Sequence, residues 1–426
     1  MTQPPAVGAL QSRNSFKASG SLLAEYSPTR SSQSMTGKPQ SSNGASEVQR
    51  SSLSASQSPT SLTPPTSGPL LGRTSLPPPT LKLEIGHSSQ AGNRYAGVNQ
   101  DYVAVQEMYA AGELPRNGQQ TYIITIADGH GILGDKSASF AGKALTRHIY
   151  SGPLRNKVLS KLSSDEVVKE MKAAFKKAHN AANAIYDTPP RTVTYPSASG
   201  SKKLANYTLC DGQGGAKVYR SAANEKMLEC GCTCTAAVIQ GTCLCIADVG
   251  DSQAVLGSDE GTGFKGQVVT MRHHCLNPEE LERIKTQHSG TTRALEDGYI
   301  QVFEGPWAGY ELSVTRALGH KNMEAYGVSD DPYVTMIQLD EEKHRCLVIA
   351  SDGVWDVMTP DEVVRFVMDY HMEGKTAAVA AEALVNHVIQ LGYATEEGEQ
   401  DNTSAIVVFF RPYGTSQRMI LSASQI

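Results

Sequence analysis

The amino-acid sequence predicts an α+β sandwich, and two features of the order of its strand-like and helical segments indicate this fold class. Runs of β-branched and apolar residues are numerous, and the helical patterns come in sequential pairs. A doubly wound parallel sheet would instead need a helical crossover between most successive strands. We therefore expect two antiparallel sheets packed against each other and flanked by helices.

The composition of the chain changes near residue 80. Residues 1–80 are rich in Ser, Pro, Thr, Gln and Gly and lack a sustained apolar period, so burial cannot offset their ordering entropy. We predict a disordered tail over 1–80, one large domain over 81–412 and a C-terminal tail over 413–426. Three residues of the first tail precede prolines and are candidate sites for proline-directed kinases: Ser27, Ser58 and Thr63.

Local patterns predict the elements of the domain in order. The first half has a strand pair near 81–87 and 101–108, a strand at 121–128, and helices at 136–152 and 163–186, the second capped by Ser164 or Asp165. Pro, Gly and Ser throughout 188–228 predict an insertion or a long loop. The second half has a hairpin turning at 240–242, a helix at 277–287, a strand at 345–353, helices at 359–371 and 375–392, and a strand at 403–410.

Charge and hydropathy exclude some partners. The tail carries six Lys or Arg and two Glu, a charge of +4, which leaves −9 for the rest of a chain whose total is −5. An acidic domain argues against nucleic-acid binding. No run of about 18 apolar residues predicts a transmembrane helix, and the first residues lack the pattern of a secretory leader. We expect an intracellular monomer of the cytoplasm or nucleus.

Five of the eight cysteines lie in "CGCTCTAAVIQGTCLCI". A zinc site and disulfides are the alternatives for such a cluster. The spacing does not give Cys-x-x-Cys pairs, and alternation along two strands predicts reduced thiols packed in the core.

Aspartates adjoin five strand-like segments, in Gly- or Asn-marked turns or at a strand start. One such aspartate is ordinary turn chemistry, but five indicate a shared centre. Carboxylates that converge from several strands repel one another unless cations lie between them, and Mg²⁺ and Mn²⁺ prefer oxygen ligands. Two such ions would lower the pKa of a bridging water. The candidates are Asp101, Asp128, Asp251, Asp352 and Asp401.

Seven motifs follow one another between about residues 85 and 410: "GVNQD", "IADGHG", "CGCTCTAAVI", "ADVGDSQAVL", "ELSVTRALGH", "IASDGVWDVMT" and "QDNTSAIVV". In this order they resemble the metal-dependent Ser/Thr phosphatases of the protein phosphatase 2C type. The resemblance implies a four-layer αββα fold and phosphoprotein substrates. It also implies hydrolysis of phosphoserine and phosphothreonine by in-line attack of a hydroxide that bridges two metal ions.

The resemblance also implies the metal ligands. Asp128 would bridge two Mg²⁺ or Mn²⁺ ions, and Gly129 would bind through its carbonyl oxygen, which glycine allows to approach closely. Asp352 and Asp401 would complete the shell of one ion. Asp251 would belong to a weaker third site.

Two further roles follow from the same motifs. Asp101 would orient metal-bound water. His130 would donate a proton to the departing Ser or Thr oxygen, a step that typically contributes a factor of about 10²–10⁴. Outside this context, His130 would be interpreted as a turn histidine bonded to backbone.

The chain departs from the family pattern at three positions. Gln100 stands where the family often has Glu and contributes no charge, which predicts weaker binding of the second ion. Ala96 stands where a phosphate-binding Arg is usual, and Arg94 is the nearest candidate for that role. His320 stands where Asp is usual and is expected to change local bonding.

A flap that selects substrates is predicted over 272–313, beside "VTRA" around Arg316. Two alternatives to an active protein phosphatase remain. One is a pseudophosphatase that acts as a binding or scaffold module, which Gln100 and the missing arginine favour. The other is a hydrolase of small phosphate esters.

Overall fold

A computed structural model describes residues 81–108, 120–196, 204–212, 215–395 and 398–411. The predicted tails, with Ser27, Ser58 and Thr63, lie outside these ranges. The described part of the chain contains six α-helices: α1 (Gly134–Ser151), α2 (Ser164–Asn183), α3 (Pro278–Gln287), α4 (Asp352–Trp355), α5 (Pro360–Met372) and α6 (Ala377–Tyr393).

The same ranges contain twenty strands. In chain order they are β1 (Lys82–Gln90), β2 (Tyr102–Glu107), β3 (Thr121–Ala127), β4 (Gly129–Gly131), β5 (Thr192–Pro196), β6 (Leu204–Asp211), β7 (Lys217–Ser221), β8 (Met227–Leu228), β9 (Cys230–Cys232), β10 (Cys234–Gln240), β11 (Cys243–Val249), β12 (Gln253–Asp259), β13 (Phe264–Val268), β14 (Thr292–Ala294), β15 (Ile300–Val302), β16 (Glu311–Leu312), β17 (Leu318–Gly319), β18 (Tyr333–Gln338), β19 (His344–Ala350) and β20 (Thr403–Arg411).

Two five-stranded antiparallel sheets form the centre of the fold. Sheet A has the order β1-β20-β19-β12-β13, and sheet B has the order β18-β11-β10-β3-β2. The predicted pairing of strands near 81–87 and 101–108 is wrong, because β1 pairs with β20 and β2 pairs with β3. The segment between β1 and β2 carries the chain from sheet A to sheet B, so the two strands face each other across the sandwich and are not paired in one sheet.

The core has three apolar layers. Alternate residues of the strands meet between the two sheets, among them Ile124 and Ile126 of sheet B and Leu347 and Ile349 of sheet A. The other faces pack against helices, with α1 and α2 on sheet B and α5 and α6 on sheet A. This arrangement confirms the predicted four-layer sandwich, and it leaves the strand ends as the places where polar side chains can gather.

The N-cap of helix α2 lies one residue before Ser164, the first of the two predicted caps. Its N-cap is Ser163, whose Oγ accepts from the backbone N–H of Glu166 at 3.3 Å. The carboxylate of Glu166 accepts in turn from the Ser163 N–H at 3.0 Å, which completes a capping box. The predictions of Ser164 and Asp165 are therefore corrected to Ser163.

The segment 188–228 forms a sheet rather than an unstructured loop in its described part. Its strands β5, β6, β7 and β8 pair in antiparallel order. Buried tyrosines of this sheet, Tyr195, Tyr207 and Tyr219, share an apolar cluster with Trp307 and Tyr310 of the neighbouring 272–313 region. Aromatic packing therefore joins the insertion to the predicted flap.

An ion-pair network fixes the base of that flap. Glu280 of α3 accepts from the guanidinium groups of Arg283 and Arg316, each at 2.6–2.7 Å, and from Thr315 Oγ1 at 2.6 Å. Burial alone would raise the pKa of Glu280, but the bonds from Arg316, Arg283 and Thr315 bring it down to about 2.

The cysteine prediction is confirmed. The five cysteines between 230 and 245 are buried and free, and burial raises their pKa values. Among the described helices, none has the length and apolarity that a bilayer crossing requires.

Close contact between β1 and α6 generates a stability prediction. A Cβ at Gly86 would lie 2.1 Å from the backbone N of Ala378, and neither backbone can give way cheaply. Gly86→Ala should therefore lower the free energy of unfolding by about 3 kcal/mol. Denaturant unfolding measures the change, with Gly290→Ala as the control because nothing lies within 4 Å of a Cβ there. Equal losses in the two variants would contradict this packing.

Candidate active site

The predicted aspartates gather where strands of the two sheets begin or end. Asp128 follows β3, and Asp101 precedes β2 in sheet B. Asp352 follows β19, and Asp401 precedes β20 in sheet A. Burial raises the pKa of Asp128 well above its usual value, and the charges of Asp101, Asp352, Asp401 and Asp251 each raise it further. The structure thus places the other four predicted carboxylates within electrostatic range of Asp128.

Backbone contacts fix the Asp128–Gly129 turn. The N–H of Asp128 donates to Thr233 Oγ1 at 3.1 Å, and the N–H of Thr233 donates back to the Asp128 carbonyl at 2.8 Å. A Cβ at Gly129 would lie 2.2 Å from the Gly134 carbonyl oxygen and 2.5 Å from that of Gln100. Only glycine fits here, which agrees with the expectation of close backbone approach.

Asp101 is held by two serines. Its Oδ2 accepts from Ser404 Oγ at 2.6 Å and from Ser351 Oγ at 3.1 Å, while Oδ1 has no partner among the described residues. Burial, with a contribution from Asp401, raises the pKa of Asp101 to about 6 although the serine bonds lower it. The side chain is therefore oriented but retains one unused oxygen.

Gln100 is buried beside it. Its backbone N–H donates to Asn402 Oδ1 at 2.8 Å, and its Nε2 donates to the Gly131 carbonyl at 3.1 Å. Its Oε1 has no partner in the described part of the chain. The amide thus offers a neutral oxygen where the resemblance predicts a carboxylate.

Asp352 opens the short helix α4 and is 9% exposed. Its Oδ1 lacks a partner within the described ranges, and burial together with Asp401 and Asp251 raises its pKa well above the usual value. Asp356 lies one helical turn later, with its N–H donating to the Asp352 carbonyl at 2.8 Å. Burial raises the pKa of Asp356 too.

The sequence reasoning missed Asp356 and Arg272. Arg272 Nη2 donates to Asp356 Oδ1 at 3.3 Å. Burial raises the pKa of Asp251 to about 6, while Arg272 lowers it and Asp356 raises it. The i, i+4 spacing of Asp352 and Asp356 in "SDGVWD" could have indicated Asp356. No local signal indicated Arg272.

Arg94 lies at the acidic cluster. Its Nη1 donates to Asp401 Oδ2 at 2.5 Å, and its Nη2 is buried with no partner among the described residues. The chain turns immediately afterwards, with φ of 54° at Ala96 and 80° at Gly97. One nitrogen of the guanidinium therefore has no acceptor among the described residues.

His130 contacts His320 directly. The two Nε2 atoms are 2.6 Å apart and the rings stack with centroids 4.7 Å apart, so one Nε2 carries the shared proton. His130 Nδ1 lies 3.3 Å from the Asp128 carbonyl. Burial lowers the pKa of His130 to about 4, and that of the fully buried His320 well below its usual value.

The donor atoms suit a hard divalent cation. Three buried oxygens of this cluster lack partners among the described residues, and the surrounding acids repel one another. Within the same ranges, no three His, Cys, Asp or Glu side chains already lie close enough together to enclose an ion. The residues therefore fit a divalent cation through the type of their donor atoms, which are oxygens, and not through a preformed cage of ligands. The three oxygens are Gln100 Oε1, Asp101 Oδ1 and Asp352 Oδ1.

The four-layer sandwich and its acidic edge define the class of this protein: an α+β protein with a polar site lined by carboxylates. The family model "Protein phosphatase 2C" matches residues 109–396, so this chain belongs to the protein phosphatase 2C family. Among solved structures, a serine-threonine phosphatase 2C from Toxoplasma gondii superposes with a TM-score of 0.56 at 18% identity, covering 79% of this chain and 98% of that one. At this identity the likeness shows the fold alone.

Plant proteins are among the similar sequences. "Probable protein phosphatase 2C 41" of Arabidopsis thaliana is 35% identical over 187 residues, which are 43% of this chain and 52% of that protein. "Probable protein phosphatase 2C 65" of the same plant is 26% identical over 325 residues, with 74% and 75% covered. The chain spans about half the length of the first relatives that it matches.

Repulsion at the acidic edge predicts that removing one charge stabilises the protein in chelator. Asp352→Asn should raise the melting temperature at pH 7.5 by about 5 °C. The gain should be smaller at pH 5, because carboxyls with raised pKa values, such as Asp101 and Asp251, are more protonated there and repel Asp352 less. The folded protein loses stability as these carboxyls ionise, which happens as the pH rises through about 6.

Calorimetry or dye-based melting at both pH values measures the effect. Asp187→Asn, at an exposed position, is the matched control. A melting temperature below that of the wild type at pH 7.5 would contradict charge repulsion as the main influence of Asp352 on stability.

Proposed function

We propose that this protein is a Mg²⁺- or Mn²⁺-dependent phosphatase that hydrolyses phosphoserine and phosphothreonine on proteins. The observation that carries the proposal is the gathering of five carboxylates and three unpartnered buried oxygens at one edge of the sandwich. Membership of the protein phosphatase 2C family supports it, as do the names of its plant relatives.

Four residues would hold two metal ions. Asp128 would bridge them, the Gly129 carbonyl would bind one of them, and Asp352 and Asp401 would complete a shell. Bound divalent ions would neutralise the acidic edge and supply a water nucleophile at neutral pH. Asp251 would serve a weaker third site.

The remaining polar side chains would position water and phosphate. Asp101, fixed by Ser351 and Ser404, has a free oxygen with which to orient a water, and the Gln100 amide can assist without adding charge. Arg94 would bind a phosphate oxygen through its unpartnered Nη2. Each of these three side chains would act through an atom that has no partner among the described residues.

His130 would protonate the leaving Ser or Thr oxygen. Burial opposes its charged form, but the dianion of a bound phosphate would raise its pKa again. In the structure His130 Nε2 contacts His320 Nε2, and Nδ1 lies 3.3 Å from the Asp128 carbonyl. The ring would have to release one of these two contacts for that nitrogen to donate its proton to the leaving oxygen.

The flap would select among phosphoproteins. Tyr299 of the flap lies near the cluster, since Arg94 lowers and Asp251 raises its pKa after the larger effect of burial. The substrates, the monomeric state and the cytoplasmic or nuclear location remain predictions.

Hydrolysis of a phosphothreonine peptide in Mn²⁺ tests the activity. We expect phosphate release by the wild type, and release at the level of chelator-treated enzyme from Asp352→Asn, because this variant loses a metal ligand. Asp187→Asn should behave as the wild type. No release by the wild type above Asp352→Asn would refute the proposal.

His130→Ala separates proton donation from metal binding. Turnover of the phosphothreonine peptide should fall by about 10²-fold or more, whereas the Mn²⁺ concentration for half-maximal activity should not change. His87→Ala, at an exposed position of β1, is the control. Parallel losses of turnover and metal affinity would rule out the general-acid role.

A further inference from the structure

Tyr195 of the insertion has a hydroxyl that the fold does not use. The residue is 7% exposed, and its hydroxyl proton has no acceptor among the described residues. A buried polar group left unpaired costs about 1–3 kcal/mol, so native proteins rarely keep one without a reason. The ring itself is well packed, which leaves the hydroxyl as the feature to explain.

The Tyr195 ring lies near Tyr95, next to the arginine of the acidic cluster. The Tyr195 ring centroid is 6.4 Å from that of Tyr95, and the guanidinium carbon of Arg94 lies 5.6 Å from the same Tyr95 ring. Among the influences on the pKa of the Tyr195 phenol, burial is the largest, and the charges of Arg94 and Asp401 come next. The backbone N–H of Gly131, two residues after Gly129, also acts on this oxygen.

The insertion sheet holds Tyr195 at this position. Strand β5 pairs with β6, with Tyr195 opposite Ala205. Tyr219 of β7 is fully buried, and its hydroxyl donates to the Pro190 carbonyl at 2.9 Å just before β5 begins. The position of β5 is therefore set by the sheet and by Tyr219, independently of any bond at the Tyr195 hydroxyl.

We propose that Tyr195 is a second phosphate-positioning residue, which donates its hydroxyl proton to a phosphate oxygen held next to Arg94 Nη2. The inference rests on the proposed function of the same site. Two donors without acceptors among the described residues, a neutral phenol and a guanidinium nitrogen, both belong to side chains that lie near the Tyr95 ring. A phosphate dianion has only acceptor oxygens, and it forms strong charge-assisted bonds with such donors.

This assignment gives the insertion a function in phosphate binding. Ala96 stands where the family resemblance predicts a phosphate-binding arginine. Tyr195 supplies a donor from a segment more than 90 residues away in sequence. A buried water could also satisfy the hydroxyl, and removal of the hydroxyl separates the two occupants.

Tyr195→Phe removes the hydroxyl and keeps the ring. In Mn²⁺, its calorimetric dissociation constant for a non-hydrolysable phosphonate analogue of a phosphothreonine peptide should rise about tenfold or more, and inorganic phosphate should inhibit hydrolysis more weakly by a similar factor. The Mn²⁺ dependence of activity should not change. Tyr333→Phe, at an exposed position of β18, is the control, and it should bind the peptide as the wild type does.

The outcomes distinguish this inference from the proposed function. Peptide binding by Tyr195→Phe equal to that of the wild type overturns the assignment and indicates a buried water. A wild type that binds the phosphothreonine peptide without hydrolysing it refutes the phosphatase activity, whereas weaker binding by Tyr195→Phe would still support the phosphate contact. A wild type that binds no phosphopeptide overturns both.

Discussion

Electrostatic repulsion among buried carboxylates is the constraint on which the rest of this structure depends. Burial and the neighbouring acids raise the pKa values of Asp101, Asp128, Asp251 and Asp352, so the folded chain is destabilised when these groups ionise. Such an arrangement persists only where a rigid scaffold imposes it. The two packed sheets, with apolar layers between and outside them, form that scaffold.

Much of the polar detail around the cluster counteracts this repulsion. Ser351 and Ser404 bind one oxygen of Asp101, and Arg94 and Arg272 bring positive charge to Asp401 and Asp356. These contacts leave selected oxygens without partners among the described residues. Sites that keep repelling charges and buried polar atoms without hydrogen-bond partners are commonly less stable than they could be, because function requires those groups.

The sequence predicted the local parts of this fold well. Helix periods, the helix predicted at 277–287 and the hairpin at 240–242 depend on residues close together in the chain, and the structure contains each of them. The partner of β1 is β20, more than 300 residues away, and no local pattern encodes that choice. Sequential proximity therefore suggested the wrong pair.

The candidate site also has local features that the sequence predicts and long-range contacts that it does not. The five aspartates were predictable because each lies next to the beginning or the end of a recognisable strand, and the i, i+4 spacing from Asp352 could have indicated Asp356. The contact of His320 with His130, the position of Arg272 and the orphaned hydroxyl of Tyr195 depend on how separate segments pack. A pattern in one segment cannot show what a second segment brings beside it.

The central claim is that the acidic edge exists to hold cations. A calorimetric titration of the chelator-stripped protein with Mn²⁺ at neutral pH tests it most directly. The account predicts saturable binding of two ions per chain, accompanied by proton release from carboxyls whose pKa values are raised in the folded protein. The absence of any saturable Mn²⁺ binding by a folded sample would contradict it.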